Sequence, residues 1–273
     1  MASGPEIPVS RTASTDEVLR ATLVALEQGH RVVLATVVRR QGSTPSTPGQ
    51  KLCLLGEREA VGTLGGGALE AMLLREMVAL LAQAGTDPVP RAVDLGAELG
   101  MSCGGAVEVL LEPLDPAPAV LVVGAGHVGA ALAPLLVGLG FRVVLCDRRA
   151  AVVAALALAP SARLHLVAEP HDHPAVRAAL GAAPASAAAL VMTHDHELDQ
   201  AALDWALGQG FAFVGGVGSR NKAARLKVVL RERGHAPASV EALRMPLGVA
   251  IGARLPAEIA LAIAAELVGW RRA

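Results

Sequence analysis

The segment "VLVVGAGHVGAALAPLLVGLGFRVVLCDRR", residues 120–149, constrains the fold more than any other part of the chain. It places Gly124, Gly126 and Gly129 in the spacing G-x-G-x-x-G, directly after a four-residue apolar run. A helical stretch and a second apolar run follow, and the second run ends at Asp147, about 20 residues after the glycines. Glycines in this position allow the backbone to approach a pyrophosphate at a helix N-terminus. The order therefore predicts a Rossmann-type fold.

The same segment indicates how a dinucleotide such as NAD(P) could bind. Asp147 could accept hydrogen bonds from a ribose 2′-hydroxyl, whereas Arg148 and Arg149 leave room for a 2′-phosphate instead. The candidate site includes the whole GAGHVG turn, with His127. The alternative is that the glycines only make a tight strand–helix junction, because this fold persists where a ligand has been lost.

After the glycine motif, apolar runs alternate with helical patterns. The predicted strands cover residues 120–123, 142–147, 163–167, 189–193 and 212–214. Such alternation predicts a parallel sheet that is covered by helices on both faces. Pro134 lies inside the first of these helices and is expected to bend it or break it locally.

A cluster of prolines, Pro113, Pro116 and Pro118, marks a domain boundary. The predicted class is α/β, with an N-terminal α/β domain over 1–115 and a Rossmann-like, doubly wound parallel-sheet domain over 116–273. Residues 1–14 are expected to form a flexible tail before the first helix.

Composition excludes several classes of function. A net charge of −1 gives no electrostatic reason to expect nucleic acid or a membrane surface as a partner, and 2% aromatic residues cannot build a base-stacking platform. Residues 116–141 carry no charge and are long enough to cross a bilayer, but their prolines and glycines indicate a strand, a turn and a helix. The three cysteines contain no CxxC pair, and residues 1–17 are polar and lack the apolar segment of a secretory leader. Both features favour a reducing, cytoplasmic setting.

The stretch "GTLGGGALE" is a candidate ligand loop in the first domain. Gly65, Gly66 and Gly67 precede a predicted helix, and Glu70 lies in its first turn. Three successive glycines cost backbone entropy, so they favour positive φ or the close approach of a ligand such as a phosphate or a pterin edge. A plain turn is the alternative.

The stretch "LGMSCGGAVEVL" places Cys103 between a small-residue turn and a predicted strand. Ser102 and Gly104 flank the thiol. From these residues alone, Cys103 could be a nucleophile, a sulfur carrier, a metal ligand or a packing residue. Neighbouring backbone N–H groups would lower the pKa of such a thiol and favour its reactive thiolate. Cys53 and Cys146 lie within predicted strands and are expected to be core residues.

Two further stretches follow predicted strands of the second domain. His194 and His196 form an H-x-H pair that could bind a metal, but no third ligand is fixed by spacing. Asp195, Glu197 and Asp199 also make a good helix start, so a polar cap or a ligand-facing turn is favoured. "VGGVGSRNKAARL" repeats the order of strand, glycines and helix, with Ser219 as the predicted cap. Arg220, Asn221 and Lys222 add donors for an anion.

Taken together, these motifs resemble a known family. "TVVRRQGSTPSTPGQKL", "GTLGGGALE", "SCGG", "VGAGHVGAALAPL", "THDHELD", "GGVGSRNK" and "PLGVAIGARLPAEIALAIAAEL" occur in this order. The sequence is similar to the xanthine dehydrogenase accessory proteins of the XdhC/CoxI type, over nearly the whole chain from Thr15 onward.

The resemblance implies a cofactor chaperone rather than a stand-alone enzyme. It implies binding of the molybdenum cofactor, support of its sulfuration with a cysteine desulfurase, and delivery into a xanthine dehydrogenase-type molybdenum hydroxylase. Its motifs assign to the cofactor site the residues Gly65, Gly66, Gly67, Glu70, Ser102, Cys103, Gly104 and the GAGHVG turn. Cys103 would ligate molybdenum or relay sulfur.

Two other functions stay open on the sequence alone. One is an NAD(P)-dependent oxidoreductase, favoured by the glycine motif and Asp147 but without a recognisable acid or base for hydride transfer. The other is a nucleotide-sensing interaction module. The C-terminal stretch "LPAEIALAIAAELVGW" predicts a helix that is apolar around most of its circumference, which indicates burial in a core or in a homodimer interface.

Overall fold

A computed structural model describes residues 8–83, 85, 87–100, 104–159, 161–181 and 183–272. The chain divides into two compact units, Met1–Pro116 and Ala117–Ala273. Ser102 and Cys103, two of the predicted site residues, lie outside the described residues.

The N-terminal unit is built on a six-stranded sheet with the order β1-β4-β3-β2-β6-β5, in which only the β1–β4 pair is parallel among the described strands. Its elements are β1 (Val9–Arg11), α1 (Thr15–Glu27), β2 (Val32–Gln41), β3 (Lys51–Leu54), β4 (Glu59–Gly62), α2 (Gly67–Leu81), β5 (Val89–Asp94) and β6 (Ala106–Leu114).

Helices cover both faces of this sheet. Because side chains alternate along a strand, Leu52 and Leu54 of β3 face the cluster that includes α2, whereas Cys53 faces the cluster that includes α1. Burial of such side chains from both faces is what holds α1 and α2 on the sheet.

The prediction of a flexible tail over 1–14 is wrong for residues 9–11. These residues form β1, which pairs in parallel with β4 over Val9–Glu59 to Arg11–Val61. Three residues are too short for a two-residue alternation to be recognised, and the pairing partner lies about 50 residues further along the chain.

The C-terminal unit contains a five-stranded, wholly parallel sheet with the order β11-β10-β7-β8-β9. Its elements are β7 (Ala119–Val123), α3 (His127–Gly138), β8 (Arg142–Cys146), α4 (Ala150–Ala154), β9 (Leu164–Val167), α5 (Pro174–Leu180), β10 (Ala187–Val191), α6 (His196–Gln209), β11 (Phe213–Gly216), α7 (Arg220–Glu232), α8 (Pro237–Ala242) and α9 (Pro256–Arg271).

This strand order is that of a doubly wound sheet: strands are added on one side of β7 as far as β9, and then on its other side from β10, so the order reverses between β7 and β10. Val120 and Val122 pack under α3 and α9, while Leu121 and Val123 pack under the helices of the opposite face. The predicted Rossmann-like domain is therefore confirmed.

The predicted break at Pro134 is wrong, because α3 runs uninterrupted from His127 to Gly138. Pro134 is exposed, so water can satisfy the carbonyl that loses its intrahelical partner. Among the residues that the structure describes, no helix combines the length and apolar character needed to cross a membrane.

Candidate functional site

Three glycine-containing loops meet at one edge of the N-terminal sheet. The loop at 42–50 follows β2, the loop at 63–66 follows β4, and the third, of which residues 95–100 and 104–105 are described, precedes β6. The register pairs Gln41 with Ala106 and Leu52 with Gly62, which places all three loops at the same end of their strands. We call this region the glycine edge.

Tight backbone packing joins the three loops. Gly65 has φ +93°, and a Cβ there would overlap the carbonyl oxygen of Pro45. A Cβ at Gly105 would overlap the carbonyl oxygen of Ser43. The buried Ser46 hydroxyl donates to the Leu64 carbonyl at 2.6 Å. The residues that flank Cys103 on its C-terminal side are therefore anchored to the first loop, and the first loop is anchored to the second.

Glu70 holds the 63–66 loop from the first turns of α2. Its Oε1 accepts hydrogen bonds from the Thr63 hydroxyl at 2.5 Å and from the Leu64 N–H at 2.9 Å. The carboxylate faces its own loop, so the structure gives it a positioning role at this edge.

We expect Glu70→Ala to lower the free energy of unfolding by about 2 kcal/mol, because two hydrogen bonds to a charged acceptor are lost and the Leu64 N–H is left without that acceptor. Urea denaturation followed by circular dichroism measures this loss. Arg75→Ala, an exposed position on the same helix, is the control and is expected to change the unfolding free energy by less than about 0.5 kcal/mol. Equal effects of the two variants would contradict the positioning role.

Backbone groups of the glycine edge also face open space. Gly66 caps α2 with extended backbone, and no side chain of the described residues caps the helix there. Gly67 and Gly104 have no atoms within 4 Å of the position that a Cβ would take. The unpaired N–H groups in the first turn of α2 favour an anionic ligand.

The other two cysteines are core residues, as predicted. Cys53 and Cys146 are both fully buried and free. Burial raises the pKa of the Cys53 thiol to about 11 and that of the Cys146 thiol to about 12. Both stay protonated at neutral pH, so neither supplies a thiolate.

In the C-terminal unit, the glycines of the GAGHVG turn have different structural roles. A Cβ at Gly129 would overlap the Gly124 carbonyl oxygen, and Gly124 itself has φ +112°. Gly126 caps α3 and faces open space, followed by the exposed His127. Gly124 and Gly129 are thus needed for the strand–helix junction, while Gly126 leaves backbone accessible.

Asp147 is buried and already engaged. Its Oδ2 accepts from the Ala125 N–H at 2.9 Å and from Arg149 Nη2 at 2.7 Å. Its Oδ1 accepts from Arg149 Nε at 2.9 Å and from the Arg149 N–H at 3.0 Å. A ribose that bound to this carboxylate would have to displace the Arg149 side chain.

These contacts also set the ionisation of Asp147. Burial raises the pKa of Asp147, but the hydrogen bonds from Arg149 and Ala125 outweigh it, and the net pKa falls from 3.8 to about 2. The carboxylate is therefore charged at any physiological pH.

A cleft of the C-terminal unit lies at the carboxyl ends of β10 and β11, on the far side of the point where the strand order reverses. Its volume is about 760 Å³. The lining residues are Val128, Met192, Thr193, His194, His196, Asp199, Gln200, Val217, Gly218, Ser219, Asn221, Lys222, Arg225, Leu226 and Val229.

The structure brings some predicted residues to this cleft and leaves others out. Ser219 caps α7 as predicted, since its hydroxyl accepts from the Lys222 N–H at 3.2 Å. Arg220 is exposed and does not line the cleft. His194 and His196 line it, and no group of three metal-ligating side chains is found within the described ranges.

Sequence reasoning missed the ion pair in the cleft. Lys222 Nζ lies 2.6 Å from Asp199 Oδ2. The sequence pattern indicates Asp199 only as part of a helix start. The available signal was a carboxylate and an ammonium, each in the first turn of a helix that follows one of two neighbouring strands.

Both units are α/β, and the second has the strand order and glycine turn of a Rossmann-type ligand-binding domain. The family model described as "XdhC Rossmann domain" matches residues 120–267, and the one described as "XdhC and CoxI family" matches residues 25–91. The chain belongs to the XdhC family.

Two curated relatives are similar over much of this chain. "Uncharacterized protein YqeB" of Escherichia coli K12 is 32% identical over 248 residues, which cover 89% of this chain and 44% of the relative. A probable xanthine dehydrogenase subunit from Bacillus subtilis 168 is 29% identical over 164 residues, which cover 60% of this chain and 46% of the relative. The chain therefore spans less than half the length of each of these relatives.

Among solved structures, one described as a xanthine dehydrogenase from Bacillus halodurans aligns with 95% of this chain and 96% of its own, at 20% identity and a TM-score of 0.47. That similarity is too low to add to the family assignment.

Proposed function

We propose that this chain is an accessory protein of a xanthine dehydrogenase-type molybdenum hydroxylase, which it serves by binding molybdenum cofactor, supporting its sulfuration and delivering it. Family membership supports the class of function, and one relative's name includes xanthine dehydrogenase. The observation that carries the cofactor role is the glycine edge, where two of the segments that resemble the family lie beside Gly105, the last residue of a third.

The chemistry of the glycine edge suits this cargo. Molybdenum cofactor is an anionic pterin phosphate, and the edge offers uncapped N–H groups at the start of α2 beside exposed glycine backbone. The Glu70 carboxylate, in the first turns of α2, is already engaged with Thr63 and Leu64, which lessens its repulsion of an anion. Gly66, Gly67 and Gly104 are the described residues that we assign to cofactor contact.

We assign the sulfur- or molybdenum-handling role to Cys103. Cys53 and Cys146 are excluded because they are buried, protonated thiols. A thiolate at position 103 can hold the metal of the cofactor while a cysteine desulfurase supplies sulfur. If it relays sulfur instead, it accepts one sulfur atom from the desulfurase persulfide and the desulfurase thiol is released.

Co-expression with cofactor synthesis tests the binding step. The purified chain is expected to carry molybdenum and the absorbance of the pterin, and Cys103→Ala to lose most of both. Cys53→Ala removes a thiol from the same unit and is expected to keep them. Full molybdenum content in Cys103→Ala, or none in the wild-type chain, would overturn the assignment.

We also propose that the chain forms a homodimer through apolar residues near its C-terminus. Val249, Ile251, Leu255 and Leu261 are 42–62% exposed, and the Val249 N–H bonds to the Ala262 carbonyl of α9. Light scattering at micromolar concentration is expected to give twice the 27.8 kDa of one chain, and Leu261→Glu to give a single chain. A monomeric mass for the wild type would contradict this prediction.

A further inference from the structure

We infer that the cleft at the carboxyl ends of β10 and β11, here called the Lys222 cleft, binds a phosphate ester of about nucleotide size. This site is distinct from the glycine edge, because all of its lining residues belong to the C-terminal unit. The inference therefore goes beyond the proposed function and does not depend on it.

Size and position favour a small-molecule ligand. A volume of about 760 Å³ falls within the range of small-molecule sites. The cleft lies beside the point where the strand order reverses, between β7 and β10, and ligands of open α/β sheets bind at such points.

The charge of the lining favours an anion. Lys222 and Arg225 line the cleft together with His194 and His196. Among the described lining residues, Asp199 is the one carboxylate, and its charge is matched by Lys222. The excess of nitrogen donors over free carboxylate oxygens suits a phosphate, which accepts several hydrogen bonds at once.

The Lys222 side chain is held in place by the buried Asp199 carboxylate. The Asp199 side chain is 6% exposed, and its Oδ1 accepts from the Thr193 N–H at 2.8 Å and hydroxyl at 2.6 Å. Its Oδ2 accepts from Lys222 Nζ at 2.6 Å. An ammonium has three donors, and this bond uses one. Asp199 and Thr193 thus position the Lys222 ammonium before a ligand arrives. Because the Lys222 side chain is already ordered, ligand binding costs little further side-chain entropy.

The cavity at the carboxyl ends of β7 and β8, on the other side of the point where the strand order reverses, limits the length of the ligand. There the cavity beside Asp147 has a volume of only about 80 Å³, and the Asp147–Arg149 pair occupies the place where a second ribose would bind. A ligand of one nucleotide fits the Lys222 cleft, whereas a full dinucleotide requires that pair to open.

Calorimetric titration of the full chain with adenosine 5′-monophosphate, and with adenosine as the phosphate-free comparison, tests the inference. The phosphate ester is expected to bind and adenosine to bind far more weakly. Lys222→Gln is expected to weaken monophosphate binding about tenfold or more, since a charge-assisted contact is lost. Lys227→Gln, on the same helix but paired with Glu241, is expected to leave binding unchanged.

A second variant separates binding from folding. Lys222→Gln alone leaves a buried carboxylate without its cation, whereas Asp199→Asn with Lys222→Gln replaces the ion pair by neutral amides. Tryptophan fluorescence is expected to show a native fold in the double variant, with monophosphate binding still lost.

The molybdenum content of the same variants after co-expression with cofactor synthesis distinguishes a nucleotide from the pterin phosphate. Lost monophosphate affinity with unchanged molybdenum supports a nucleotide, and lost molybdenum supports the pterin phosphate. If the wild type does not bind the monophosphate better than adenosine, and molybdenum content does not depend on Lys222, the inference is overturned. Loss of molybdenum in Cys103→Ala alone bears only on the glycine edge.

Discussion

Replacing Gly129 with alanine is expected to unfold the Rossmann unit or to destabilise it by about 3 kcal/mol or more. The added Cβ would overlap the Gly124 carbonyl oxygen. The oxygen belongs to the backbone of the turn after β7, and the position of the Cβ is fixed by the backbone in the first turn of α3, so no side-chain rotation relieves the overlap. The helix would have to move away from a sheet whose residues are fully buried beneath it.

Intrinsic fluorescence measures this effect in one unit, because the two tryptophans of the chain, Trp205 and Trp270, both lie in the C-terminal unit. Gly126→Ala is the matched control, three residues earlier in the same turn, since nothing lies within 4 Å of its added Cβ. We expect its urea midpoint to stay near that of the wild type. Similar midpoints for Gly129→Ala and the wild type would contradict the tight junction described here.

Replacing Asp147 with asparagine is expected to lower the free energy of unfolding at pH 7 by about 2 kcal/mol. The pKa of Asp147 falls from 3.8 to about 2 on folding, and this difference equals about 2 kcal/mol of stabilisation of the charged form. The hydrogen bonds from Arg149 are the main source of this stabilisation. Asparagine lacks the negative charge of the Asp147 carboxylate and cannot replace it. Asp172→Asn, an exposed position in the same unit, is expected to change stability by less than about 0.5 kcal/mol.

The effect of Asp147→Asn should depend on pH with a definite sign. Because the folded pKa lies below the unfolded one, the contribution is fully present above pH 3.8 and is lost as the pH falls through about 2. The difference between wild type and variant is therefore expected to shrink to about half by pH 3. A difference that is constant from pH 7 to pH 2.5 would show that the Asp147–Arg149 contact does not stabilise the fold.

The Rossmann unit could be predicted because its signals are local. Gly124, Gly126 and Gly129 lie within six residues, and their strand and helix are adjacent in the chain. The parallel sheet followed from the alternation of apolar runs, although β10 begins two residues before its predicted start and ends two before its predicted end. Such shifts arise because hydrogen-bond pairing, which the sequence pattern does not show, sets the ends of strands.

The candidate sites depend on contacts that the sequence does not reveal. The glycine edge forms only once β2, β3, β4 and β6 are neighbours, which requires the whole sheet order. Asp199 and Lys222 are 23 residues apart and meet because their strands β10 and β11 pair. The sequence motif predicts that Asp147 binds a ribose. In the structure the Asp147 carboxylate is hydrogen-bonded to the Arg149 side chain, whose rotamer the sequence does not show.

Reconstitution tests the central proposal most directly. An apo molybdenum hydroxylase of the xanthine dehydrogenase type is mixed with molybdenum cofactor, a cysteine desulfurase and cysteine, with and without this chain. We predict hydroxylase activity that depends on the wild-type chain, is retained with Cys53→Ala and is largely lost with Cys103→Ala. Equal activity with and without the chain would contradict a role in cofactor delivery.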